Sequence, residues 1–154
     1  HGGSLRVYTT MDKNKKLHKS ISEYIELEKK NKLDKFDTYI KFGDTVKNVK
    51  IESLEKLTKR LGDNKKIIGY GAPAKATTIL NYFGLSDSHL QFTLDDNNLK
   101  HNKFIPGTNI QIKSLESVNP LDYDYVLVLA WNFYEQIKKS NKQNFSKAKF
   151  IKLK

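Results

Sequence analysis

Glycines at positions 69 and 71, with Tyr70 between them and Ala72-Pro73 behind, form a turn whose missing Cβ atoms let the backbone bend and approach a ligand. With Ala74 they carry the spacing G-x-G-x-x-(G/A). Free N–H groups and the positive dipole end of a helix beginning at Pro73 suit a phosphate. Lys75 then falls in the first helical turn, unfavourable for the dipole unless the cation faces an anion; pointing to solvent is the plain alternative. Asp95 stands 24 residues after Gly71, where an acidic residue at the end of a second strand meets a ribose hydroxyl. Asp96 and Asn97 prolong that polar segment, which a solvated, capped turn explains equally well. Trp131-Asn132 is a third polar strand end, with Trp131 also able to serve as a packing residue. The glycines are open to two readings, nucleotide contact and close packing of helix on strand. His1, ahead of Gly2-Gly3, has the chemistry of a general base; a histidine from an expression tag is the alternative.

These residues need strands and helices to hold them. Ile67 and Ile68 lie in a short apolar run of β propensity, and Ala74, Ala76, Ile79, Leu80 and Phe83 give the following helix one apolar face. Leu90, Phe92 and Leu94 alternate as a second strand, residues 109–113 read as a short third, and residues 125–130 (YVLVLA) as a strand buried on both faces. A helix over 133–140 and a strand over 148–153 close the chain. Upstream, residues 20–30 read as a helix capped by Ser20 or Ser22. Phe36, Tyr39, Ile40 and Phe42 suggest more helix, broken by Gly43, and residues 45–61 a further helix closed by Gly62. Leu5, Val7 and Thr9 alternate as a strand with no neighbour in sequence, as though left from a preceding domain. The expected division is a remnant strand over 1–10, a linker and helical segment over 11–64, and a terminal domain over 65–154. That last domain is α/β: a Rossmann-like three-layer fold with a mostly parallel sheet of four to five strands.

Composition narrows the function. The chain has 154 residues and no cysteine, and its four histidines (His1, His18, His89, His101) show no metal-ligand spacing, so no metal site is expected. No apolar run approaches the roughly 20 residues that span a bilayer and no signal peptide is visible, which points to a cytosolic protein with no membrane partner. The net charge is +11, but only two of the 28 cations are arginine and the lysines are spread along the chain. That pattern fits a solvated surface and argues against nucleic acid.

Three blocks carry a family resemblance: GYGAPAKATTILNYFGL, LDDNNLKHNKFIPGTNIQI and DYDYVLVLAWNF, preceded by HGGSLRVY. Together they resemble the C-terminal domain of bacterial S-adenosylmethionine-dependent sugar C-methyltransferases. The resemblance implies a longer enzyme with a cysteine-rich zinc-binding region and a central S-adenosylmethionine-binding domain, both outside this chain. It implies a nucleotide-linked keto-sugar substrate and a base, matching His1, that removes the proton beside the carbonyl. On the matching positions it implies Gly71, Ala72, Lys75 and Asn81, then Asp95, Asp96, Asn97 and Lys100, then Trp131 and Asn132 as substrate-side residues. Ala76 departs from the family's usual glycine, and Gln111 from its proline. The expectation is a substrate-side domain, inactive alone and binding no cofactor itself. A dinucleotide-binding module of NAD(P) type and a non-catalytic scaffold are the alternatives.

Overall fold

The computed structural model describes residues 4–153. Its contacts divide it into two units, His1–Asn48 and Val49–Lys154.

In the first unit, helix α1 (Lys19–Lys30) starts at His18, whose ring Nδ1 accepts the Ser20 N–H at 3.3 Å. The cap is therefore His18, not Ser20 or Ser22. Helix α2 (Phe36–Gly62), whose residues up to Asn48 belong to the first unit and the rest to the second, is one helix of 27 residues, without the expected break at Gly43. A glycine inside an exposed helix costs only about 1 kcal/mol, too little to stop it. α2 does end at Gly62, as expected, but the glycine is not its left-handed cap. Asn64 takes the left-handed conformation (φ 56°), and the N–H groups of Asn64 and Lys65 return to the carbonyls of Leu61 and Arg60 at 3.0 and 3.1 Å. This is a Schellman stop built on asparagine. Residues 4–10 form no strand. Alternation alone does not make one, because a strand needs a ladder partner.

The second unit is built on a five-stranded sheet of order β3-β2-β1-β4-β5, with every adjacent pair parallel. The strands are β1 (Ile67–Tyr70), β2 (Thr93–Leu94), β3 (Ile112–Lys113), β4 (Tyr125–Val128) and β5 (Lys149–Ile151). Helix α3 (Ala74–Phe83) follows β1, and α4 (Tyr134–Asn141) follows β4 after a 3-10 turn at Trp131–Phe133. Most strands are shorter than their apolar runs because ladder pairing, not hydropathy, sets their ends.

Alternate residues of β1 and β4 face opposite sides, as a pleated strand requires. Ile67, Leu127 and Leu129 pack with Ala76, Leu80 and Phe83 of α3 and Leu57 of α2. Ile68, Tyr70 and Val126 pack with Phe92 and Phe145 on the other side. Two cores on the two faces of one sheet make the three layers expected. No helix among the described residues is long and apolar enough to cross a membrane.

Candidate functional site

The strand order fixes where ligands can approach. β2 and β3 lie on one side of β1, β4 and β5 on the other, so the connection reverses between β1 and β4. In an open parallel sheet, the crevice outside the carboxyl ends at that reversal is the ligand position. Here it falls between the turn after β1 and the turn after β4. Gly69, Tyr70, Gly71, Ala72 and Lys75 come to it from one side, and Trp131 and Asn132 from the other.

Both glycines are required by packing. Gly71 has φ +90°, and a Cβ there would lie 2.8 Å from the Ala130 Cβ. A Cβ on Gly69 would lie 2.6 Å from Thr93 Oγ1, and that hydroxyl donates to the Gly71 carbonyl at 3.2 Å. The turn is therefore seated directly on β2 and on the end of β4. Pro73 caps α3 without a side-chain hydrogen bond, and the helix has no acidic residue in its first turn. The amides of Ala74 and Lys75 have no acceptor within a helix that starts at Ala74.

Asp95 turns back onto this turn. Its Oδ2 accepts the Ala72 N–H at 2.7 Å and a proton of Lys100 Nζ at 3.1 Å, and its Oδ1 accepts the Asn97 N–H at 3.0 Å. Lys100 Nζ also donates to the Ala72 carbonyl at 3.1 Å. Burial pushes the Asp95 carboxyl up, but the Asn97 and Ala72 amides and the Lys100 ammonium outweigh it and hold the group below the ordinary carboxylate value. The side chain is only 11% exposed. An aspartate so engaged braces the glycine turn, whereas the spacing suggested a ribose acceptor. Asn97 caps the 3-10 turn Asn98–Lys100 by accepting the Leu99 N–H at 3.0 Å.

Lys75 crosses the crevice. Its Nζ lies 4.4 Å from the centroid of the Trp131 ring, a cation–π contact, and among the described residues it has no carboxylate partner. Trp131 is 37% exposed, so part of the residue remains accessible. Asn132 is exposed and its side chain makes no hydrogen bond among the described residues. Below the crevice, the Tyr70 hydroxyl donates to Asp96 Oδ1 at 2.7 Å. Burial, reinforced by that carboxylate, pushes the phenol up to about 12.

Asn81 is placed elsewhere. It sits six residues beyond Lys75 on α3, about 9 Å by helical rise, and its Nδ2 donates to the carbonyls of Thr77 and Pro106 at 2.8 and 2.9 Å. It pins the loop at Pro106-Gly107 to the helix. His1 lies outside the described residues. Among the described residues no group of three or more histidines or carboxylates is placed to hold a metal.

Sequence reasoning missed several partners: Thr93 and Ala130, which make the glycines necessary; Asn141, buried beside the Tyr70 hydroxyl at 3.4 Å; and His101, whose Nε2 donates to the Asp95 carbonyl at 2.7 Å. A buried threonine opposite a glycine was the only available signal, and it needs the strand register (Gly69 beside Thr93) to be visible.

Comparison with known proteins now adds to the geometry. Residues 1–152 match the family model described as C-methyltransferase C-terminal domain. The chain is also 31% identical over 144 residues to the C-methyltransferase NovU of Streptomyces niveus, a match that covers 93% of this chain and 34% of that protein. It thus spans about a third of the length of that curated relative. With nearly the whole chain inside the family model, and 31% identity to a C-methyltransferase over 93% of its length, the protein belongs to the C-methyltransferase C-terminal domain family.

Proposed function

We propose that the crevice between β1 and β4 is one wall of the substrate site of an S-adenosylmethionine-dependent C-methyltransferase, and that it takes a nucleotide-linked keto-sugar. Lys75 carries this reading. It is a cation at the positive end of a helix, a placement that costs roughly 0.3–1 kcal/mol, with no carboxylate partner among the described residues and an indole face beside it. A phosphate accounts for the lysine and the free first-turn amides of α3 together. Trp131, partly exposed beside Lys75, offers an aromatic surface for a base or a sugar ring. Asn132 adds a donor and an acceptor for hydroxyl groups.

S-adenosylmethionine, when bound, supplies the methyl group as an electrophilic sulfonium. Asp95, the acid at the β2 end that would meet an adenosine ribose in a dinucleotide-type site, has both oxygens engaged within the protein. In this reading the cofactor is held by the rest of the enzyme. His1 takes the proton beside the sugar carbonyl, and Lys75, Trp131 and Asn132 hold the substrate's nucleotide end. The chain alone orients substrate and transfers nothing.

The test is an amide NMR titration with uridine and thymidine diphosphate. Shifts confined to residues 69–75, 95–97 and 131–132 at up to millimolar ligand are expected. Unmoved amides there would remove the nucleotide from this wall.

A further inference from the structure

We infer that α1 and the amino half of α2 form the surface on which the remaining, larger part of the methyltransferase docks. No residue from 4 to 48 is buried. Yet 14 of the 21 exposed large apolar side chains among the described residues fall between Leu5 and Phe42. They are ordered by the helices: Ile21, Tyr24 and Ile25 share one face of α1, and Phe36, Tyr39 and Ile40 repeat the same spacing on α2. Along α1 the apolar residues border a groove of about 700 Å³ whose other wall includes Leu5 and Val7. Soluble proteins rarely leave apolar surface this dense uncovered.

Two observations select the occupant. The unit lies inside the family domain, which spans residues 1–152, so its apolar faces belong to the enzyme's architecture and are not an appended segment. The match covers only 34% of NovU, so a C-methyltransferase contains roughly twice this much further protein to supply a covering surface. A second copy is the poorer fit, because each copy carries a net charge of +11 and two would bring like charge together. This inference rests on family membership and not on the ligand proposed above.

The experiment mixes the purified chain with the methyl-transfer remainder of the same enzyme, produced as a separate polypeptide and carried forward only once a cooperative thermal melt shows it folded, and follows association by sedimentation velocity. A 1:1 complex is expected. Ile25→Glu with Ile40→Glu, both positions exposed and helical, weakens it at least 10-fold with the helical circular dichroism retained, while Leu99→Glu on the other unit leaves it unchanged. Trp131→Ala also leaves the complex intact, so a failed nucleotide site and a failed docking surface give different results. The inference is overturned by a complex indifferent to the double substitution, by no complex at all, or by a self-dimer of the chain that the double substitution dissolves.

Discussion

Ala72 donates its backbone N–H to the Asp95 carboxylate at 2.7 Å, so the amide that the glycine turn would offer a pyrophosphate is taken by the protein's own side chain. The turn is thereby braced from β2. In the proposed reading an anion meets the first-turn amides of α3 and Lys75, a different arrangement from a dinucleotide fold, in which the turn cradles the phosphates and the acid holds the ribose.

Removing that brace should be measurable. Asp95→Asn is expected to lower stability at pH 7 by about 1–2 kcal/mol, the scale of charge-assisted hydrogen bonds. The folded carboxyl lies below its unfolded value, so its contribution is present above about pH 4 and is lost as the pH falls through the folded value. Urea melts between pH 7 and pH 2 should show a shallower acid limb in the variant. Some slope remains, because Asp124 is also held low, chiefly by the Lys66 amide and then by Lys65.

Gly71→Ala should cost roughly 2–3 kcal/mol, since it combines a φ of +90° with overlap against Ala130. Gly43→Ala should do the reverse. Gly43 is helical, and a Cβ there meets nothing within 4 Å, so about 0.5–1 kcal/mol of stabilisation is expected. Chemical denaturation of the two variants beside the parent checks both signs. A large loss at Gly71 is required by either reading of the turn, so it does not favour a scaffold over a substrate wall.

Much of this was legible in the sequence, and what was not has physical causes. The β1–turn–α3 unit was visible because glycine and proline punctuate it, and β4 because a strand buried on both faces is apolar throughout. The Leu5–Val7–Thr9 alternation misled because periodicity carries no information about a partner strand. Gly43 misled because its helical cost is small beside the gain of continuing α2. At the site, the three polar strand ends could be assembled from α/β topology alone. The internal use of Asp95, the removal of Asn81 to the Pro106 loop and the stacking of Lys75 on Trp131 could not, because each depends on side-chain direction across residues far apart in sequence.

Tyr70 gives a prediction at the alkaline end. Its phenol titrates near 12 in the folded protein against 10 ordinarily, so its contribution is complete below pH 10 and declines as the pH rises toward 12. Tyr70→Phe should flatten the fall in stability between pH 10 and pH 12, and ultraviolet titration of tyrosinate should show one late-ionising tyrosine fewer.

Asn81→Ala should cost about 1 kcal/mol by releasing the carbonyl of Pro106. Hydrogen exchange should quicken in residues 102–108, and nucleotide affinity should hold within about 2-fold. A variant that lost nucleotide binding while keeping loop protection would return Asn81 to the substrate wall.

The chain contains one tryptophan, Trp131, and it lines the crevice, so its fluorescence reports on the site without a label. Titration with uridine or thymidine diphosphate should produce a saturable change in Trp131 emission. Lys75→Ala should weaken the apparent affinity at least 10-fold, and added salt should weaken it in the parent. Emission that stays flat to millimolar nucleotide, or that responds identically in the Lys75→Ala variant, would contradict a phosphate at the head of α3 and with it the account of this domain as the nucleotide-holding wall of the enzyme.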